Sequence, residues 1–509
     1  VGDVVLASLL LPLAGAVAAA VAPARRTVAV VTAAGQTVLA VVLAVTVLRD
    51  GPVATAPGGW EPPLGIALRV DGVAAAVGLL AAVVVTAVLA HACASPASTG
   101  PATEPAAGRS AYWPLTLLTL AGLQAVLVAA DLFTTYVALE LLTLGAVALV
   151  ALGGRGAYGP ALRYLCLAVL GSFAFLVAVA LVYARTGTLT LDLAAAALPP
   201  GPALTTALGL ATVGLLVKSA LFPLHAWLPD AHAAAPTAVS PLLSALVVKG
   251  SFVVLLRVWT ALGGDAALAS VLAVLATGAV AWGGVLALRA AALKRVVAYS
   301  TVAQVGYLVL LLPLVTPALA GGDGVAVDVA RTAWQGVLLV LLAHGLAKAA
   351  MFLAAGTLVG VAGSGRVADL GGTAARAPVV VTAYALAGVC LAGLPPSLGF
   401  VGKWALLDAA LTGGRWWVVA VLLGGGLLTA AATARVLAAT LREPGPGDGP
   451  PPGTPHGREE APGATALPTP RAGERWPALA LALLAVVTCV GSAWLADLVL
   501  VGAPPGVGG

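Results

Sequence analysis

KSALFPLHAWLPDAHAAAPTAVSPLLSALVVKG, residues 218 to 250, decides the fold. The stretch lies inside long apolar sequence, yet it carries a lysine at each end, Lys218 and Lys249, and prolines at Pro223 and Pro229. A proline inside a helix removes a backbone donor and clashes with the preceding turn. Membrane helices tolerate such breaks only where freed backbone groups are buried in protein or face a watery cavity. The stretch therefore reads as the end of one membrane helix, broken at Pro223, and the start of the next, with a charge buried in each.

The rest of the chain repeats the apolar part of that reading. Of 509 residues, 61% are hydrophobic and 9% charged, against roughly 25% charge in a soluble globular domain. A span needs about 20 apolar residues. Apolar runs between charges and turn residues fall near 4–22, 27–48, 71–92, 113–130, 132–152, 160–184, 204–228, 237–259, 266–288, 292–315, 331–360, 378–411, 416–441 and 476–502. The expected fold class is all-α, a polytopic membrane protein of about fourteen helices. The first run lacks a basic leader and a small-residue cleavage site, so it is expected to be a retained helix. Residues 443–475, which include GPGDGPPPGTPHGREEAPG, have a Pro, Gly and charge content that reads as a flexible linker to the last helix.

Several function classes drop out. Cys93, Cys166, Cys390 and Cys489 are scattered, with no CxxC and no histidine at ligand spacing, so no metal site, iron-sulfur cluster or disulfide framework is expected. No dinucleotide fingerprint, P-loop or haem motif occurs, so no cofactor is expected and any redox chemistry belongs to partner chains. The net charge of +5 comes without a basic cluster interleaved with aromatics, which excludes a nucleic-acid surface.

The basic residues instead orient the chain. Arg25, Arg26, Arg109, Arg155, Arg163, Arg289, Lys294, Arg295, Arg366 and Arg376 follow odd-numbered segments, and Arg435, Arg442, Arg458, Arg471 and Arg475 surround the last such loop. Only Arg49, Arg69, Arg185, Arg257, Arg331 and Arg415 follow even-numbered ones. Fifteen against six places the odd loops in the cytoplasm and both termini on the outer side of the inner membrane.

Lysine is distributed differently. Every arginine lies in a loop or near a segment end, whereas Lys218, Lys249, Lys348 and Lys403 lie inside apolar segments, leaving only Lys294 in a loop. A guanidinium stays protonated in proteins, but a desolvated lysine can release its proton. That is the property a proton carrier requires, and intramembrane ionisable groups are functional by default. Lys249 and Lys348 are too deep to snorkel, while Lys218 and Lys403, nearer turn-forming prolines, also fit a snorkelling anchor. Glu140, the only glutamate inside a segment, lies nine residues past Asp131, about 13 Å deep at helical rise, which favours a functional role over the alternative of a structural helix-helix hydrogen bond. His344 precedes Lys348 by four residues on the same helix face. His225 and His232 fit packing or capping as well as proton transfer, and Asp408 and Asp497 lie near segment ends. The seventh segment breaks at Pro223 and the twelfth at Pro395 and Pro396, five segments apart, which suggests a repeated unit with binding sites at the breaks.

Residues 218–250, with LKRVVAYSTVAQVGYLVL, HGLAKAAMFLAAG, LPPSLGFVGKW and the Glu140 segment, closely resemble the antiporter-like subunits shared by respiratory complex I, Mrp-type Na+/H+ antiporters and membrane-bound hydrogenases. The resemblance covers the fourth to thirteenth segments. It implies two inverted five-helix repeats, 113–260 and 261–442, preceded by helices in 1–112 and followed by the linker and a final helix in 476–509. It also implies a proton path through Glu140, Lys218, Lys249, His344, Lys348 and Lys403, with Glu140 and Lys218 facing each other as a charge pair. The implied partners are other membrane subunits of one complex, and the implied cargo is protons, with Na+ as the second candidate. A lysine at position 403 points to N-type or L-type subunits of complex I or to the A-type and D-type subunits of Mrp antiporters, whereas LFPLHAWLPDAH is closer to M-type or hydrogenase-type subunits. The length favours the D, M or N size class. A membrane subunit of a hydrogenase-type complex, a stand-alone secondary transporter and a non-conducting structural subunit are the other readings. Extra polar residues at the breaks would mark the transporter, and loss of the lysines would mark the structural subunit.

Overall fold

The computed structural model describes residues 2–101, 106–443 and 469–508. Most of the expected linker, residues 444–468, lies outside the described residues.

All fourteen apolar segments are helical over most of their length, but not all are continuous. They are α1 (Gly2–Val21), α2 (Arg25–Asp50), α3 (Gly72–Ala94), α4 (Tyr112–Val128), α5 (Leu132–Ala151), α6 (Arg155–Thr186), α7 (Pro202–Lys218, resuming at Leu228–Ala234), α8 (Ser240–Ala261), α9 (Ala266–Arg289), α10 (Leu293–Leu319), α11 (Gly324–Ala362), α12 (Pro378–Ala392, resuming at Leu398–Thr412), α13 (Trp416–Leu441) and α14 (Ala472–Val487, resuming at Ser492–Leu500). Among the described residues, eleven helices are long and apolar enough to cross a membrane, or twelve if the two parts of α14, bent by 80°, count as one span. The seventh and twelfth segments are interrupted half-helices, with the breaks at the prolines where the sequence placed them. The bend of α14 was not expected. It falls at Thr488–Gly491, where no proline marks it.

Local chemistry fixes the ends. Asp71, Asp131, Asp265 and Asp323 each accept a hydrogen bond from a first-turn N–H, starting α3, α5, α9 and α11. Ser397 does the same for the second half of α12. Helices α6 and α11 stop at left-handed glycines, Gly187 and Gly363. One small element was missed altogether: β1 (Val53–Thr55) pairs antiparallel with β2 (Leu68–Val70) in the loop between α2 and α3. Three-residue strands are too short to leave a periodic trace in sequence.

Polar contacts sort the loops into two faces. On one, Arg163 and Arg295 converge on Asp230, and Ala292 pairs with Arg366. On the other, Arg257 binds Asp71, Arg69 binds Asp192, Leu68 pairs with Ala129 and Asp131 pairs with Thr190. The first set comes only from ends near odd-numbered loops and the second only from ends near even-numbered ones. The Gly72 N–H also donates to Val501 O at 2.8 Å, which ties the last described segment to the second face.

Between the faces the core is built around α11, whose apolar length is wholly buried, with α3, α8 and α10 against it, while α1, α2, α6, α9 and α13 turn much of their surface outward. Close helix crossings use small residues, as expected where lipid supplies no hydrophobic drive for association. A Cβ on Gly214 of α7 would sit 2.4 Å from the carbonyl oxygen of Gly171 on α6, and one on Gly402 of α12 would sit 2.7 Å from that of Gly336 on α11.

Candidate functional site: a line of buried lysines

The two proline-broken helices, α7 and α12, present the first and last members of the line. Lys218 is the final residue before the break in α7, and its Nζ donates to Glu140 Oε1 at 3.0 Å and to Thr143 Oγ1 at 3.1 Å, both on α5. Ser172 of α6 donates to the same carboxylate oxygen. Lys218 is buried, whereas the Glu140 side chain keeps 24% of its surface exposed. Breaking a helix frees carbonyls at its end, and here the Trp227 indole N–H answers one of them, Val217 O, at 2.9 Å.

Lys403 solves the same problem from the other side. It is the sixth residue of the second half of α12 and reaches back across the break, donating to Leu391 O at 2.9 Å and Ala392 O at 3.2 Å, with its ammonium 4.3 Å from the Tyr307 ring centroid. A cation at a helix C-terminus meets the negative end of the helix dipole.

Lys249 and Lys348 are both fully buried and bind neutral oxygens. In α8, residues Leu243–Val247 form a π-helical turn. The wider turn presents Ser244 O to the Lys249 ammonium, and the Ser244 hydroxyl lies 3.2 Å from Thr301 Oγ1 on α10. Lys348 on α11 donates to Val297 O at 2.8 Å and to Ser300 Oγ on α10. His344 is buried, interacts electrostatically with Lys249, Lys348 and Lys403, and has no hydrogen-bond partner for either ring nitrogen among the described residues. His232 interacts with Lys348, Lys294 and Lys249, stacks on Phe352 at 4.5 Å, and has both ring nitrogens likewise unpaired. Beside the first pair, Ser219 Oγ donates to Ser251 Oγ at 3.1 Å, joining the turn after Lys218 to the helix of Lys249.

The structure thus brings Glu140 and Lys218 into contact and groups Lys249, His344, Lys348 and Lys403 in one electrostatic neighbourhood. Asp408 and Asp497 are exposed and stand apart from it. The described residues contain no group of three or more side chains able to hold a metal. What the arrangement offers is a series of amines, imidazoles and hydroxyls, with one carboxylate at its head.

Residues 129–429 match the family model described as NADH:quinone oxidoreductase/Mrp antiporter, transmembrane. The chain belongs to this family. A similar curated protein is the N-type subunit of the NADH-quinone oxidoreductase of Desulforudis audaxviator, 36% identical over 78% of this chain and 77% of that protein. The D-type subunit of a Na(+)/H(+) antiporter of Bacillus subtilis is 30% identical, covering 74% of each. Among solved structures, a chain of the Mrp complex from Dietzia sp. superimposes with a TM-score of 0.84 at 26% identity, covering 97% of this chain and 95% of that one. A chain of the membrane-bound sulfane sulfur reductase, an archaeal respiratory membrane complex, gives 0.83 at 27% identity, covering 98% and 96%. The N-type and D-type relatives agree with the lysine at position 403. The LFPLHAWLPDAH text points elsewhere and does not separate these types.

For this member of the antiporter family, sequence reading missed the hydroxyl partners Thr143, Ser172, Ser244, Ser300 and Thr301, and set His232 level with a packing residue. Thr143 had a usable signal, one turn after Glu140 on the same face. Ser172, Ser300 and Thr301 come from other helices, and a single sequence does not show which helices touch.

Proposed function

We propose that this chain is a proton-translocating, antiporter-like subunit of a multi-subunit membrane complex of the complex I or Mrp type, passing protons along Glu140, Lys218, Lys249, His344, Lys348 and Lys403. The observation that carries the reading is the 3.0 Å pair of Lys218 with Glu140, beside lysines that have no carboxylate partner among the described residues. While the pair is closed, the carboxylate holds the ammonium charged. When it opens, Lys218 is free to deliver a proton through the Ser219–Ser251 contact toward Lys249, and Glu140 takes up another. The imidazole of His344, which can accept and donate, bridges the farther lysines. His232 offers a second bridge between Lys249 and Lys348.

The same reading assigns domains. Helices α4–α8 (113–260) and α9–α13 (261–442) act as two inverted repeats, with α1–α3 (1–112) before them and α14 (476–509) after the 443–475 linker. Supporting it, the third and fourth helices of each unit cross through a glycine pair, Gly171 with Gly214 and Gly336 with Gly402, and the fourth of each is broken. The face holding Arg163, Arg295 and Asp230 is cytoplasmic, which puts both termini outside the inner membrane. Other membrane subunits are its partners, and protons, with Na+ as the alternative cation, are its cargo in the bilayer.

The test is Lys249→Met in the assembled complex reconstituted in vesicles. The variant is expected to assemble and to lose most cation-coupled proton movement. Acidification at the wild-type rate by an assembled Lys249→Met complex would return Lys249 to a structural role.

A further inference from the structure

A cavity of about 380 Å³ opens where the C-terminal ends of α3 and α11 meet the start of α14 and the connection into α8. It lies on the face that carries Arg366, just past the end of α11. Each element supplies a polar group: His91 from α3, Ser98 from the turn that follows it, Thr237 from the connection, Thr357 from α11 and Glu474 from α14. Ser98 is buried, and its hydroxyl has no hydrogen-bond partner among the described residues. His91 is buried as well, with its Nδ1 3.1 Å from Glu474 O. A carbonyl only accepts, so Nδ1 carries the hydrogen and Nε2 is left as the basic nitrogen.

The inner wall of this cavity leads to the lysines. Along α11, Lys348, Phe352, Gly356 and Gly360 follow at four-residue spacing, a ridge on which each neighbours the next. The His232 ring stacks on Phe352 at 4.5 Å. One turn farther, Thr237 packs on the bare backbone at Gly356, where a Cβ would lie 2.0 Å from Thr237 Cγ2. The Ala238 N–H donates to Ser98 O at 3.0 Å and Ser240 Oγ donates to His232 O at 3.1 Å. The connection is thereby fixed with Thr237 at the cavity and His232 at the lysines.

Given the proton-translocating role proposed above, we propose that this cavity is a mouth through which protons enter the lysine line from the cytoplasm, taken up by His91 and Glu474 and passed by Ser98 and Thr237 to His232. The imidazole and the carboxylate each take a proton from water on a lone pair. A hydroxyl then accepts one proton as it releases another, so each group returns to its starting charge once the proton has passed. The farther lysines, Lys348 and Lys403, thus load beside α11 as well as through the Glu140–Lys218 pair.

Proton movement would be followed in vesicles holding the assembled complex. Gly360 lines the cavity and a Cβ on it meets nothing within 4 Å, so Gly360→Leu fits and fills the mouth. It is expected to slow cation-coupled proton movement several-fold without lowering the melting temperature of the complex. The His91→Gln/Glu474→Gln double variant keeps a donor for the carbonyl of residue 474 and an acceptor for the Arg471 N–H but cannot titrate. It should slow transport likewise, and it serves alone if Gly360→Leu fails to assemble. Added imidazole, small enough to enter the cavity, should restore much of the rate to the double variant and none to Gly360→Leu. Wild-type rates in these variants, where Lys249→Met does stop transport, overturn the mouth and leave the proton-translocating role standing. A loss in the double variant that imidazole does not rescue would make His91 and Glu474 structural and also overturns the mouth. Wild-type transport by Lys249→Met removes the role itself, and the mouth with it.

Discussion

Among the described residues, Glu140 is the one carboxylate paired with any of the four buried lysines, so its chemistry should dominate any substitution series. Glu140→Gln keeps the shape of the side chain but removes the charge opposite Lys218, leaving a buried ammonium whose uncompensated cost is about 3–5 kcal/mol unless it gives up its proton. Transport by reconstituted complex is expected to stop with Gln and to continue at reduced rate with Asp, whose reach is shorter. Gln transporting as well as Glu at every pH tested would end the idea that the pair is a switch. These charged residues were legible in the sequence because a lysine in an apolar segment is conspicuous. Their partners were not: Lys249, Lys348 and Lys403 bind backbone carbonyls, and which carbonyl is free depends on a π turn, a neighbouring helix or a break, none of which a composition pattern records.

At the scale of helices, the position of Lys218 depends on how closely α6 and α7 approach. Gly171 precedes Ser172, the hydroxyl that holds Glu140, and Gly214 lies one turn before Lys218. A methyl group at Gly214 would meet the Gly171 carbonyl at 2.4 Å and backbone N of Phe175 at 2.9 Å, so the helices must separate. Gly214→Ala is therefore expected to slow transport several-fold although every titratable side chain remains, with a lower melting temperature of the complex as the accompanying sign of strain. Wild-type transport and melting would mean that the crossing absorbs the methyl group. Trp227→Phe is a second test, because it removes the indole N–H that joins the Ala220 N–H on Val217 O, a loss of about 1 kcal/mol, together with one ring of a fully buried side chain stacked on Tyr164. It should lower the melting temperature by a few degrees, and an unchanged value would show that neither the indole hydrogen bond nor the indole packing holds the break. Helix existence was readable from hydropathy at nearly every position. The bend of α14 and the π turn in α8 were not, since LSALV and TCVG contain no residue that forces them.

For the molecule as a whole, the chain is expected to show no oxidation of NADH, hydrogen or quinol when purified alone, because no motif in it binds a redox group. Redox turnover by the isolated subunit, measured with artificial electron acceptors, would contradict the assignment. On one loop face, the Arg163–Asp230–Arg295 group ties α6 and α10 to the connection that carries His232. Asp230→Asn should loosen that connection and raise its hydrogen-exchange rate, and an unchanged exchange pattern would show that the pairs are incidental.

The placement of the lysines along their helices has an electrical consequence. Lys249 stands near the middle of α8, and Lys348 lies well inside both ends of α11. A membrane potential does work on a charge only as it moves through the thickness of the bilayer, about 2.3 kcal/mol per elementary charge for each 100 mV. A proton handed from one mid-depth lysine to the next travels sideways and does almost none of that work. The potential then bears on the steps that load and empty the line, and substitutions at its centre should change the size of the current while leaving its voltage dependence as it was.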